Sequence, residues 1–215
     1  LSGEQMTKIM DALKKGFEIL PEAEISMEMN PGTVDREKLQ CYKKAGINRL
    51  SIGLQSANNE ELKTLGRIHT WEDFLQTWEM VREEEFTNVN IDLMSALPGQ
   101  NVETYTETLD KVLELKPEHI SAYSLIVEEG TLFDDWFGEE AARVRDIPDY
   151  VKNLELPDEI TDRQMYELTE KKLEENGFVV TRNLCGIPTA FKATYGESGP
   201  SLGVLAEYDA LEGMS

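Results

Sequence analysis

The feature that most constrains this chain is a regular alternation of helix and strand patterns, joined by short connections, over its first 125 residues. Apolar residues at helical spacing (Met6, Ile9, Met10, Leu13, Phe17, Leu20) predict a helix over residues 3–19, with Pro21 as the stop. Residues 23–29 read as a short strand, 35–45 as a helix closed by Gly46, and 48–54 as a second strand. Two helices near 58–65 and 71–85 precede a third strand at 88–94. A helix from about 101 to 115 leads into a fourth strand at 119–125. Such alternation predicts parallel strands joined by right-handed crossovers, with helices covering the sheet. Four strands make half of a (β/α)₈ barrel. An open doubly wound sheet has the same periodicity, and the pattern alone does not choose between them.

The rhythm breaks after residue 126. Residues 128–157 are acidic, with Phe133, Trp136 and Phe137 interspersed, and predict an irregular excursion with short helices. Residues 158–177 form an amphipathic helix ending at Gly177. From Val179 the acidic, lysine-rich texture gives way to Gly, Thr, Ala and Ser, and helical periodicity stops. The chain is therefore expected to divide into residues 1–126, 127–178 and an appended α/β segment, 179–215.

The charge balance narrows the partners. A net charge of −21, from 42 acidic and 21 basic residues, argues against binding to nucleic acid or anionic membranes. No apolar run approaches the roughly 20 residues that span a bilayer, and the N-terminus has neither the basic nor the apolar stretch of a signal peptide. It lacks an initiator Met, so the chain is expected to start partway through a longer protein. Cys41 and Cys185 lie far apart, in no CxxC or CxxxC cluster, which suggests a reducing cytoplasm and gives too few thiolates for an iron–sulfur site. His69 and His119 have no metal-binding spacing, so no metal ligands are expected.

In parallel α/β folds, ligands gather at the C-terminal ends of the strands. The first strand ends near Glu28, the second near Gln55, and the third carries Asp92 before Leu97-Pro98-Gly99-Gln100. Arg67, in Gly66-Arg67-Ile68-His69, lies one connection beyond Gln55. Two acids, an amide and a guanidinium around one mouth suit a zwitterionic, hydroxyl-rich ligand: carboxylates accept from hydroxyls and an ammonium, and a guanidinium holds a carboxylate in a forked pair. Each residue alone reads more readily as a strand-end cap or surface group, whereas all four in this order favour the ligand-binding reading.

The segments EMNPGT, AGINRLSIGLQS, LGRIHT, NIDLMSALPGQ, HISAYSLIVEEGT and LPDEITDRQMYELT, in this order, resemble the radical S-adenosylmethionine (SAM) proteins of the oxygen-independent coproporphyrinogen III oxidase / heme-chaperone family, from Leu1 to about Phe178. The resemblance implies a partial TIM-type barrel of about four parallel strands, and contacts to SAM from Glu28, Gln55, Arg67 and Asp92. It implies reductive cleavage of SAM by a [4Fe–4S] cluster, with a role in heme biosynthesis, or heme binding and delivery to respiratory proteins. Nothing in the sequence decides between those two branches. The family's CxxxCxxC motif and glycine-rich turn precede the point where this chain opens, so a truncated, inactive piece is expected. The open barrel edges then favour oligomerisation or aggregation.

Residues from about 179 onward, on the string GIPTAFKATYGESGPSLGVLAEYDALEGMS, instead resemble the start of a metal-dependent amidohydrolase/peptidase of the aminobenzoyl-glutamate hydrolase type, and LEENGFVVTR fits the helix and strand that precede it there. There Glu207 and Asp209 are at best remnants of a metal site. The alternative reading is therefore an amidohydrolase fragment, or a fused, non-functional gene product.

Overall fold

Helices in the alternating region start on side-chain oxygens. Ser2, Asp35, Asn58, Thr70 and Asn101 each accept a hydrogen bond from a backbone N–H of the first turn. The computed structural model describes residues 1–138, 147–183, 186, 191–195 and 202–207. Helix α1 (Gly3–Gly16) and strand β1 (Ser26–Met29) are followed by α2 (Arg36–Ala45) and β2 (Arg49–Gln55). Then come α3 (Asn59–Thr64), α4 (Trp71–Glu83), β3 (Val89–Ser95), α5 (Val102–Glu114) and β4 (His119–Ser124). The remainder holds α6 (Leu132–Phe137), α7 (Glu159–Glu175), β5 (Val179–Arg182), β6 (Phe191–Tyr195) and β7 (Leu202–Glu207).

Strands β1 to β4 pair in sequence order and in parallel, as a partial radical SAM type barrel requires. Helix α1 stops earlier than its apolar spacing predicts. Gly16 is a poor helix former, and Phe17 caps the helix in an extended conformation. Met6 and Met10 are buried, whereas Ile9, Leu13, Phe17 and Leu20 stay exposed.

The sheet has two unlike faces. Leu50, Ile52, Ile91, Leu93 and Ile120 form the apolar one and are at most 1% exposed. Alternate positions on the same strands, Ser51, Gly53, Asn90, Asp92, Ser121 and Tyr123, make a polar face. Parallel strands covered on both sides read as nearly continuous apolar runs; here alternation leaves one side free for polar chemistry.

The segment after Phe178 joins this sheet. Its order is β1-β2-β3-β4-β7-β6-β5, with β7 parallel to β4 and β6 antiparallel to both β7 and β5. Phe191 is fully buried and meets Tyr166 of α7 edge-on, ring centres 5.3 Å apart. Arg182 pairs with Glu170 at 2.8 Å and Glu174 at 2.9 Å. Among the described residues, no strand pairs with the outer edge of β1, and no helix is long and apolar enough to cross a membrane.

Candidate functional site

On the polar face, hydrogen bonds run across three strands. Ser121 Oγ donates to Asn90 Oδ1 at 3.1 Å, and Asn90 Nδ2 donates to Ser51 Oγ at 2.7 Å and Asp92 Oδ1 at 2.6 Å. Ser51 Oγ donates in turn to Asp92 Oδ2 at 2.9 Å. Parallel register sets Ser51 beside Asn90, and Asp92 beside Ser121 and Gly53. Burial pushes the Asp92 carboxyl up from its ordinary value and the negative charge of Glu28 adds to the rise, while the hydrogen bonds from Ser51 and Asn90 oppose it.

Above this network lies a cavity of about 550 Å³, lined by all four residues singled out from the sequence, Glu28, Gln55, Arg67 and Asp92. Glu28 reaches it from the exposed side of β1, whereas Gln55 is 3% exposed. Gln55 stands at an irregularity in the β2–β3 register, with φ of 73°. That left-handed conformation costs a residue with a Cβ on the order of 1–2 kcal/mol. It turns the amide back over Gly53, where an added Cβ would lie 3.0 Å from Gln55 Nε2 and 3.3 Å from Asn30 Oδ1. A side chain at position 53 would make Gln55 or Asn30 give way by a few tenths of an ångström.

Arg67 is held by its loop. Its backbone N–H donates to Leu62 O at 2.9 Å, and its Nη1 donates to Asn30 Oδ1 at 3.2 Å. His69, two residues on, is 5% exposed, with Nε2 3.2 Å from Leu54 O. Burial holds the His69 imidazole below its usual range, so it serves the loop as a neutral ring. The Leu97–Gln100 turn fixes α3 from the other side. Gln100 Nε2 and Ser56 Oγ both donate to the buried Glu61 Oε2, at 2.9 and 2.5 Å.

Asn30, Ser51, Asn90, Ser121 and Tyr123 were not among the site residues expected from the sequence. Polar residues at every second position of NVNIDLMS and HISAYS were the available signal.

The sequence pattern of the Radical SAM superfamily matches residues 3–112. The chain belongs to the radical SAM superfamily. Within it the chain is HemN/HemW-like. It is 35% identical over 178 residues to the heme chaperone HemW of Bacillus subtilis (strain 168), covering 82% of this chain and 44% of that relative. The heme chaperone HemW of Lactococcus lactis subsp. lactis (strain IL1403) is 31% identical over 208 residues, covering 95% of this chain and 52% of the relative. Among solved structures, coproporphyrinogen III oxidase HemN from Escherichia coli, a radical SAM enzyme, matches with a TM-score of 0.68 at 24% identity. That match covers 92% of this chain and 52% of the other, and it is a likeness of fold. The radical SAM chain described here spans about half the length of the relatives it matches.

Superfamily membership implies SAM and a [4Fe–4S] cluster. The cavity fits the first: its donors and acceptors are those a zwitterion with ribose hydroxyls requires. The residues here do not fit the second. A cluster takes three or four thiolates, and the 215 residues hold two cysteines. Cys41 sits on α2 as a free thiol, and Cys185, like Asp209 in the final segment, lies outside the described residues.

Proposed function

We propose that the mouth of the partial barrel binds SAM and that the protein works in heme biosynthesis or heme delivery. The convergence of Glu28, Gln55, Arg67 and Asp92 on one cavity carries this reading. Arg67 is suited to fork onto the amino-acid carboxylate, and Glu28 and Asp92 to accept from the ammonium or the ribose hydroxyls. Ser51 and Asn90 hold the Asp92 carboxylate in place, so its orientation is set before the ligand arrives. SAM, when bound, supplies the sulfonium-activated group that radical SAM proteins cleave; the residues here bind and orient it.

The heme part of the reading is supported by the relatives named as heme chaperones, with a porphyrinogen and heme as the two candidate second ligands. Heme-accepting respiratory proteins would be the partners on the delivery branch. A cytoplasmic setting is supported by Cys41, a free thiol.

Calorimetric titration of the monodisperse chain with SAM tests the site, alongside Glu28→Ala and Asp92→Ala. Both substitutions are expected to weaken binding about tenfold or more, since each removes a charge-assisted contact. A folded wild-type chain that takes up no SAM overturns the reading.

A further inference from the structure

A primary amide has two ends of nearly equal size and opposite hydrogen-bonding character, so its surroundings decide which end faces a ligand. Gln55 is 3% exposed, and its one partner among the described residues comes from two strands away. The Tyr123 hydroxyl, on β4, donates to Gln55 Oε1 at 2.9 Å. This bond holds the oxygen toward β4. The other end, Nε2, is turned over Gly53, 3.0 Å from where a Cβ on that residue would stand. Both Gln55 and Tyr123 line the cavity, and so do Arg67 and Asn30.

We propose that Tyr123 is a positioning residue, whose hydroxyl fixes the Gln55 amide so that Nε2 faces the mouth as a hydrogen-bond donor. The inference rests on the SAM-binding reading and deepens it. It assigns Gln55 to an acceptor oxygen of the ligand, on the ribose or the carboxylate, and excludes a role for Gln55 as an acceptor from the ligand ammonium. The Tyr123 proton is secure at neutral pH. Burial raises the phenol above its usual 10.0, the negative charge of Asp92 and Glu28 adds to the rise, and Arg67 opposes it. With that proton in place the hydroxyl donates to Gln55 Oε1 at 2.9 Å, and this bond leaves the amide nitrogen for the ligand.

The test is a double-substitution cycle on the whole chain, read by calorimetry with SAM. Tyr123→Phe keeps the ring and removes only the donor. It is expected to weaken binding about fivefold, the usual consequence of losing one hydrogen bond. In a Gln55→Ala background the same change is expected to have no further effect. Gln55→Glu keeps an acceptor for Tyr123 but offers the ligand no donor, so it is expected to bind at least as weakly as Gln55→Ala. In ¹⁵N-glutamine-labelled wild type, the Gln55 side-chain amide signal, assigned by its loss in Gln55→Ala, is expected to shift on adding SAM. In Tyr123→Phe that signal is expected to move before any ligand is added, as the amide loses its fixed orientation. Equal losses in both backgrounds, or full affinity in Gln55→Glu, overturn the positioning role while leaving the SAM site standing. Absence of binding by folded wild type overturns both, and the wild-type titration alone tells these failures apart.

Discussion

Asp92, proposed above as a SAM-binding residue, sits where it does against the interest of the fold. Its carboxyl is raised above the ordinary 3.8, chiefly by burial. Below that pH both folded and unfolded chains hold the proton, and the residue has no effect on their balance. As pH rises from 3.8 toward the raised folded value, the unfolded chain ionises first and stability falls; above the folded value the penalty is constant. Asp92→Asn removes the ionisation. Its urea midpoint relative to wild type is expected to climb across that window and then level off, with SAM affinity lost at neutral pH. A difference that stays flat with pH would mean that Asp92 is not the group responsible. The sequence shows Asp92 as a polar residue in an apolar strand, which is why it could be picked out unaided. Ser51, Asn90 and Ser121, which orient it, look like ordinary strand residues. Their meaning comes from register across β2, β3 and β4, which hydropathy does not specify.

At the scale of elements, Arg67 depends on how α3 hands over to α4. Thr70 caps α4 through a reciprocal pair with Asp73, and Asn59 of α3 accepts from the Trp71 backbone N–H at 2.8 Å while its Nδ2 donates to Glu72 at 3.0 Å. Thr70→Ala is expected to cost about 1 kcal/mol of stability in chemical denaturation. It is also expected to weaken SAM binding several-fold, because Arg67 lies three residues before the cap. A variant with the full stability loss and unchanged affinity would show that the loop is fixed by Leu62 and His69 instead. Most element starts were legible from periodicity, and in the structure Ser2, Asp35, Thr70 and Asn101 cap the helices close to where that periodicity begins. The end of α1 was not, since its apolar spacing runs on through Phe17 and Leu20 after the backbone has turned extended at Phe17. The left-handed Gln55 was equally hidden, because nothing in the side chain of glutamine favours that conformation.

For the whole molecule, the decisive joint is the one between β4 and β7. The change of composition near Val179 is legible in the sequence, and its physical content is that helical period gives way to strands. What those strands pair with depends on a contact across about eighty residues, between Ile120 and Val204 in register, which no local pattern encodes. The continuity of the sheet leads to a specific expectation about cooperativity. Phe191 is fully buried against α7, so Phe191→Ala is expected to destabilise by about 3–5 kcal/mol. In a background carrying Trp136→Phe in α6, the fluorescence comes from Trp71 and Trp78, which stack on Phe74 in the first half of the chain, remote in sequence from β6. If the sheet is one cooperative unit, the Trp fluorescence transition in urea moves down together with the far-ultraviolet signal. If residues from Val179 onward melt as a separate part, Phe191→Ala produces an early step in the far-ultraviolet signal alone, and the Trp transition keeps its wild-type midpoint. In the first outcome β7 and its neighbour β4, which carries Tyr123, unfold together, so that damage far along the chain is expected to lower SAM affinity. The second leaves the mouth complete with strands β1 to β4 alone.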